Sequence, residues 1–228
     1  MAMPTKWVRS TRVWICARTT EIGLKTFSSR EIDRCKPLLF VFGLYPLLRW
    51  VWLGVQNDLT ANPTEFLTRS SGTWTLVCLL LTLAISPVRQ AIKQPAFVRL
   101  RRTCGLFTFF YAVLHALSWA WWDQGFVVDE MLVDIWKRPF ILVGVAAFLT
   151  MSLLAVTSTQ GWMRRLGSKW QRLHQAIYLI GGLAILHYWW HKAGKNDLQT
   201  VMIYAAVLAA LLLWRIVRWR IAQSRTRA

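Results

Sequence analysis

Acidic residues are scarce. Only 10 of the 228 residues are Asp or Glu, against 28 Lys or Arg, and all charged residues together make up 17% of the chain. So little charge, set among 55% hydrophobic residues and 15 tryptophans, excludes an ordinary water-soluble surface and points to a chain solvated by lipid. Cysteine is scarce too. Cys16, Cys35, Cys78 and Cys104 form no C-x-x-C pair and no C-x-x-C-H, which argues against iron–sulfur ligation, structural zinc and covalently attached c-type haem. A cleavable leader is not expected, because VWICA at 13–17 is too short for its apolar part.

What the sequence does have is six apolar runs, at about 38–55, 73–88, 104–122, 139–157, 173–190 and 200–217. Each approaches the ~20 residues needed to cross ~30 Å of hydrocarbon. The formal charge of +18 sorts along these runs. Residues 1–37, 89–102, 164–172 and the tail after 214 hold 22 of the 28 basic residues, whereas the alternate loops 56–71, 123–138 and 191–199 are mixed or acidic. The positive-inside rule then predicts an all-α, six-helix transmembrane bundle with both termini in the cytoplasm. Topology therefore accounts for the basic charge, and nucleic acid is not an expected partner.

Connections of 10–17 residues leave no space for a soluble catalytic domain, so any reductase module must be a separate polypeptide. The expected division is a basic cytoplasmic extension (1–36) that could lie on the membrane surface, a bundle (37–220) and a basic tail (221–228). Pro46 falls inside the first run and should kink it. Arg49, one turn on, either snorkels to the interface or pairs with a buried propionate or carbonyl. No run contains Asp or Glu, which disfavours ion-coupled transport. What remains within the membrane is histidine.

His115 on the third run and His187 on the fifth lie ~18 Å and ~22 Å from the inner edge at ~1.5 Å per residue. Two neutral imidazoles at similar depth on neighbouring helices suit a bis-histidine b-type haem, against the alternative of interhelical hydrogen bonds. Gly181 and Gly182 would admit a macrocycle or another helix. His174, 13 residues before His187, lies ~20 Å lower and ~140° round the helix, so one haem cannot use both. Three readings of it stay open: half of an incomplete inner site, a group beside an inner redox cofactor, or a structural residue. His191 is expected to be solvated, and the aromatics around Trp119–Trp122 and Tyr188–Trp190 to form an interfacial belt. Asp123, Asp129, Glu130 and Asp134 form a possible docking face.

NPTEFLTRSSG, LLLTLAISPVRQ, RRTCGLFTFFYAVLHALSW, DIWKRPFILVGVAAF and LAVTSTQGWMRRLGSKWQRLHQAIYL followed by LHYWW carry a resemblance over residues 36–220. The chain resembles the haem-binding membrane subunit of the bacterial protein-methionine-sulfoxide reductase system (the MsrQ or YedZ family), within the ferric-reductase-like transmembrane superfamily. The resemblance implies a multi-pass protein of the bacterial inner membrane with haem b on histidines matching His115, His174 and His187. It also implies a flavin mononucleotide (FMN), for whose phosphate Arg101, Arg102, Arg164 and Arg165 are candidates. Electrons would come from a cytoplasmic flavin reductase or membrane quinol and pass to a periplasmic molybdopterin enzyme that repairs oxidised methionine. The rival expectations are a transmembrane metal-ion reductase, the cytochrome subunit of another oxidoreductase, and a non-redox scaffold or transporter.

Overall fold

The computed structural model describes residues 27–194 and 197–227. The extension before Phe27, with Cys16 and its expected place on the membrane surface, lies outside the described residues. Among those described there are nine α-helices and no strand.

The first helix, α1 (Ser29–Val55), opens on a capping box. The Ser28 hydroxyl accepts from the Glu31 amide (3.2 Å) and the Glu31 carboxylate accepts from the Ser28 amide (2.6 Å), satisfying donors that a helix start leaves open. Asp33 pairs with Lys36 and with Arg99, tying α1 to the 3-10 turn Pro95–Arg99. Pro46 sits inside α1 and is buried. Having no N–H, it leaves the carbonyl of Phe42 without its helical donor; the hydroxyl of Tyr111 donates to the next carbonyl, that of Gly43, at 2.5 Å. Arg49 is exposed, as snorkelling requires.

Asn62 caps α2 (Pro63–Ala91) through the Glu65 amide, with proline at the first helical position. The third helix, α3 (Leu100–Ser118), widens at its end into one π turn, Trp119–Asp123. An amphipathic α4 (Val128–Lys137) links it to α5 (Pro139–Val156). The basic stretch read as a loop folds as two short helices, α6 (Gln160–Leu166) and α7 (Ser168–His174), separated by Gly167 at φ +50°. They lead into α8 (Ile177–Ala193) and α9 (Gln199–Arg227).

Five segments, Ser29–Val55, Pro63–Ala91, Pro95–Asp123, Pro139–Val156 and Gln199–Ser224, are long and apolar enough to cross a membrane. The remaining apolar run divides, because its first residues belong to α7, and leaves α8 with 17 residues. The surface supports the same conclusion: Phe42, Val41 and Trp52 of α1 are 73%, 63% and 62% exposed. In water such a belt would aggregate; in hydrocarbon it is solvated. This is a multi-pass membrane protein.

Inside, α2 packs most extensively on α3 and α5 on α8. Leu76, Leu79, Leu80 and Leu83 of α2 meet Ala112 of α3, Met151 and Leu154 of α5, Ile180 of α8 and Leu208 of α9. A second cluster of Trp50, Cys78, Phe107 and Tyr111 holds α1 to the α2–α3 pair. These two clusters fix the helices that carry the histidines.

Candidate functional site

His115 comes from the last turn of α3 and His187 from the middle of α8. Their ring centroids lie 6.1 Å apart with planes at 80°. Nδ1 of His115 is 2.9 Å from the Thr68 carbonyl oxygen of α2, and Nδ1 of His187 is 2.7 Å from the Phe140 carbonyl oxygen of α5. A carbonyl only accepts, so each Nδ1 carries the proton. Each neutral ring therefore keeps its lone pair on Nε2, the state a haem iron needs from an axial histidine. The rings lie close enough that one metal centre, at ~2 Å per metal–nitrogen bond, could take a nitrogen from each. Ser71 completes the surroundings of His115, its hydroxyl donating to the Thr68 carbonyl at 2.9 Å and lying 3.5 Å from Nδ1.

His174 stands apart from this pair. It ends α7, with Nδ1 3.1 Å from the Trp170 carbonyl oxygen and Nε2 3.4 Å from the Ser158 hydroxyl. Trp170 stacks on it at 3.9 Å and donates its indole N–H to the Thr157 carbonyl at 2.9 Å. In this geometry it fastens α7 to the end of α5, and burial lowers its pKa from the ordinary 6.5. His191, one turn beyond His187, lies against Phe140 at 5.6 Å between ring centroids. Gly181 packs on Leu208 of α9, and a side chain added at Gly182 would meet nothing within 4 Å, so neither glycine borders the histidine pair.

A family described as the ferric reductase like transmembrane component matches residues 71–185. A Bordetella pertussis protein named "Protein-methionine-sulfoxide reductase heme-binding subunit MsrQ" is 64% identical over 84% of this chain and 93% of its own length. Proteins of the same name from Ralstonia nicotianae and Herminiimonas arsenicoxydans are 53% and 47% identical, over 76% and 83% of this chain and 81% and 87% of theirs. The chain belongs to the MsrQ family.

The candidate arginines of this MsrQ-family chain are not gathered. Arg102, Arg164 and Arg165 are exposed, while Arg101 turns inward and donates to the Ser86 hydroxyl. There it meets residues the sequence reading passed over. Arg215 of α9 donates to the same Ser86 hydroxyl (3.1 Å), to the Leu83 carbonyl (3.0 Å) and to the Tyr178 hydroxyl (2.5 Å), its guanidinium lying over the Tyr178 ring. Arg89, one turn after Ser86 on α2, lies within electrostatic reach of Arg101. The Nε atoms of Arg89, Arg101 and Arg215 are buried without a hydrogen-bond partner, and among the described residues none of the three forms an ion pair. From the sequence Arg215 reads only as one of the basic residues of the tail after 214.

At the opposite end, Asp134 is less available for docking than its loop position implied. It is engaged by Arg138, by the Trp119 indole (3.1 Å) and by the Gln124 amide (2.8 Å), which leaves Asp129 and Glu130 as the exposed acids of α4.

Proposed function

We infer that this chain is a b-type cytochrome of the bacterial inner membrane, with His115 and His187 as axial ligands. The observation that carries the reading is the close ring pair, centroids 6.1 Å apart, with both Nδ1 atoms committed to backbone carbonyls, which leaves each Nε2 lone pair for a metal. In this orientation α8 serves as a sixth span, both termini are cytoplasmic, and the histidine pair lies in the periplasmic half. Bound there, haem supplies reversible one-electron transfer between ferric and ferrous iron. The protein's part is to hold two neutral imidazoles in register, fix their tautomer and keep water from the metal.

The name borne by the relatives supports a methionine-sulfoxide reductase as the electron acceptor, which we place in the periplasm as the molybdopterin-containing partner subunit. The donor is a cytoplasmic flavin reductase or membrane quinol. If the chain also carries FMN, as the family resemblance implies, its phosphate is better matched by Arg89, Arg101 and Arg215 than by Arg102, Arg164 and Arg165. Neighbouring guanidinium groups whose Nε–H donors lack partners, with no ion pair to an acid among the described residues, favour an anion beside them. Arg215→Gln should then lower the FMN retained on purification at least several-fold while leaving haem content unchanged.

The central test is a dithionite-reduced minus oxidised spectrum, with haem per polypeptide, of the parent, His115→Ala and His187→Ala. Sharp low-spin b-type bands in the parent, lost or converted to high spin in both variants, are the expected outcome. A colourless parent made with ample haem would return both residues to packing. The ferric-reductase-like family description favours a second reading, transmembrane metal-ion reduction. Reoxidation of the reduced protein by ferric chelates faster than by the sulfoxide reductase would select it.

A further inference from the structure

Each histidine of the pair rests on a glycine of the helix beside it. A Cβ built on Gly144 of α5 would lie 2.8 Å from Nδ1 and 2.9 Å from Cε1 of His187, closer than real side chains approach. One built on Gly72 of α2 would lie 3.0 Å from Cε1 and 3.2 Å from Nδ1 of His115. The two sites share one register. Gly144 follows Phe140 by four residues and Gly72 follows Thr68 by four, and the Phe140 and Thr68 carbonyls are the ones the two Nδ1 atoms use.

The register has a physical reason. In an α-helix the carbonyl of residue i accepts from the amide of i+4 and keeps a second lone pair, which the side chain at i+4 overhangs. A serine or threonine at i+4 reaches back to that oxygen itself. It happens repeatedly on these same two helices: Thr73 to Arg69 (3.0 Å), Thr75 to Ser71 (2.9 Å), Thr150 to Ala146 (2.8 Å) and Ser152 to Phe148 (2.8 Å). With glycine at i+4 no side chain overhangs the oxygen on that side, and a donor from another helix can come in there; the Thr68 oxygen, already reached by the Ser71 hydroxyl, still admits His115 Nδ1. Positions 72 and 144 are where an imidazole does so.

We propose that Gly72 and Gly144 are positioning residues for the metal-binding histidines: paired saddles that open the Thr68 and Phe140 carbonyls to the rings, so that each is held with its proton on Nδ1 and its Nε2 lone pair left for the metal. This rests on the haem reading above and adds to it two residues that touch neither iron nor partner. A methyl at 144 must displace the His187 ring or α5. A methyl at 72 asks for a shift of a few tenths of an ångström, so its effect is the smaller. Losing the Nδ1 hydrogen bond makes an axial imidazole a weaker donor, which disfavours ferric iron and raises the reduction potential.

The experiment compares Gly144→Ala, Gly72→Ala and Gly182→Ala in detergent-purified full-length protein. Gly182→Ala is the control, since its added methyl meets nothing. Haem per polypeptide, the low-spin electron paramagnetic resonance spectrum, the midpoint potential and helical melting are recorded for each. Expected are a several-fold loss of the low-spin species in Gly144→Ala, altered g-values and a raised potential in Gly72→Ala, and parental values in Gly182→Ala. Parental spectra and potentials in both saddle variants overturn the proposal, even where melting drops, because a packing role alone would do that. If Gly144→Ala does not fold, Gly72→Ala decides alone. A parent without haem overturns the haem reading instead, so the two failures are distinguishable.

Discussion

Asp134 and Asp197 show how single carboxylates act on this bundle. Asp134 binds three donors, Trp119 of the π turn, Gln124 just after it and Arg138 just after α4. Asp134→Asn keeps the size but removes the charge, and should cost about 1–2 kcal/mol, since its hydrogen bonds are charge-assisted but Arg138 is partly solvated. Thermal unfolding followed by circular dichroism would report it; an unchanged transition would mean the Arg138 pair is idle. Asp197, between α8 and α9, is exposed, and the Lys192 ammonium hydrogen-bonded to it holds its carboxyl below the ordinary 3.8. A depressed carboxyl pKa stabilises the fold above the unfolded value, and that contribution is lost as pH falls through the folded value. Titration of this carboxyl by NMR should give a midpoint below 3.8, returning toward it in Lys192→Gln.

The helices α2 and α3 form the pair on which the rest depends, and Leu79 of α2 is fully buried at their contact. Leu79→Ala should cost about 2–5 kcal/mol and lower the melting temperature in detergent, whereas Leu81→Ala, on the exposed face of the same helix, should change little. Elements of this kind were legible, because a long apolar run leaves few alternatives to a spanning helix. The histidine pair was legible for a similar reason: depth along two helices follows from residue count. What was not legible depends on contacts between helices. The acceptors of His115 and His187 are backbone carbonyls, invisible to residue type, and the glycines against the two rings sit on α2 and α5, not next to His187 in sequence as Gly181 and Gly182 do. Arg215, read as the start of a basic tail, meets Arg101 only because α9 folds back against α2. The helices α4, α6 and α7 were too short and too charged to separate from loops by periodicity.

Across the whole molecule the two polar sites lie far apart. Arg101 and His115 are 14 residues apart on α3, or ~21 Å at ~1.5 Å per residue, with the arginines at one end and the histidines toward the other. In the proposed orientation, an electron passing from the arginine end to the histidine pair carries negative charge out of a compartment that is itself negative. Such a transfer would be electrogenic, and the membrane voltage would assist it by up to about 2 kcal/mol per 100 mV if the whole field were crossed. Energised membrane vesicles should therefore reduce the periplasmic acceptor faster than vesicles treated with an uncoupler, at equal donor concentration. Voltage would then act as a rheostat on the repair of oxidised methionine, with no regulatory residue required.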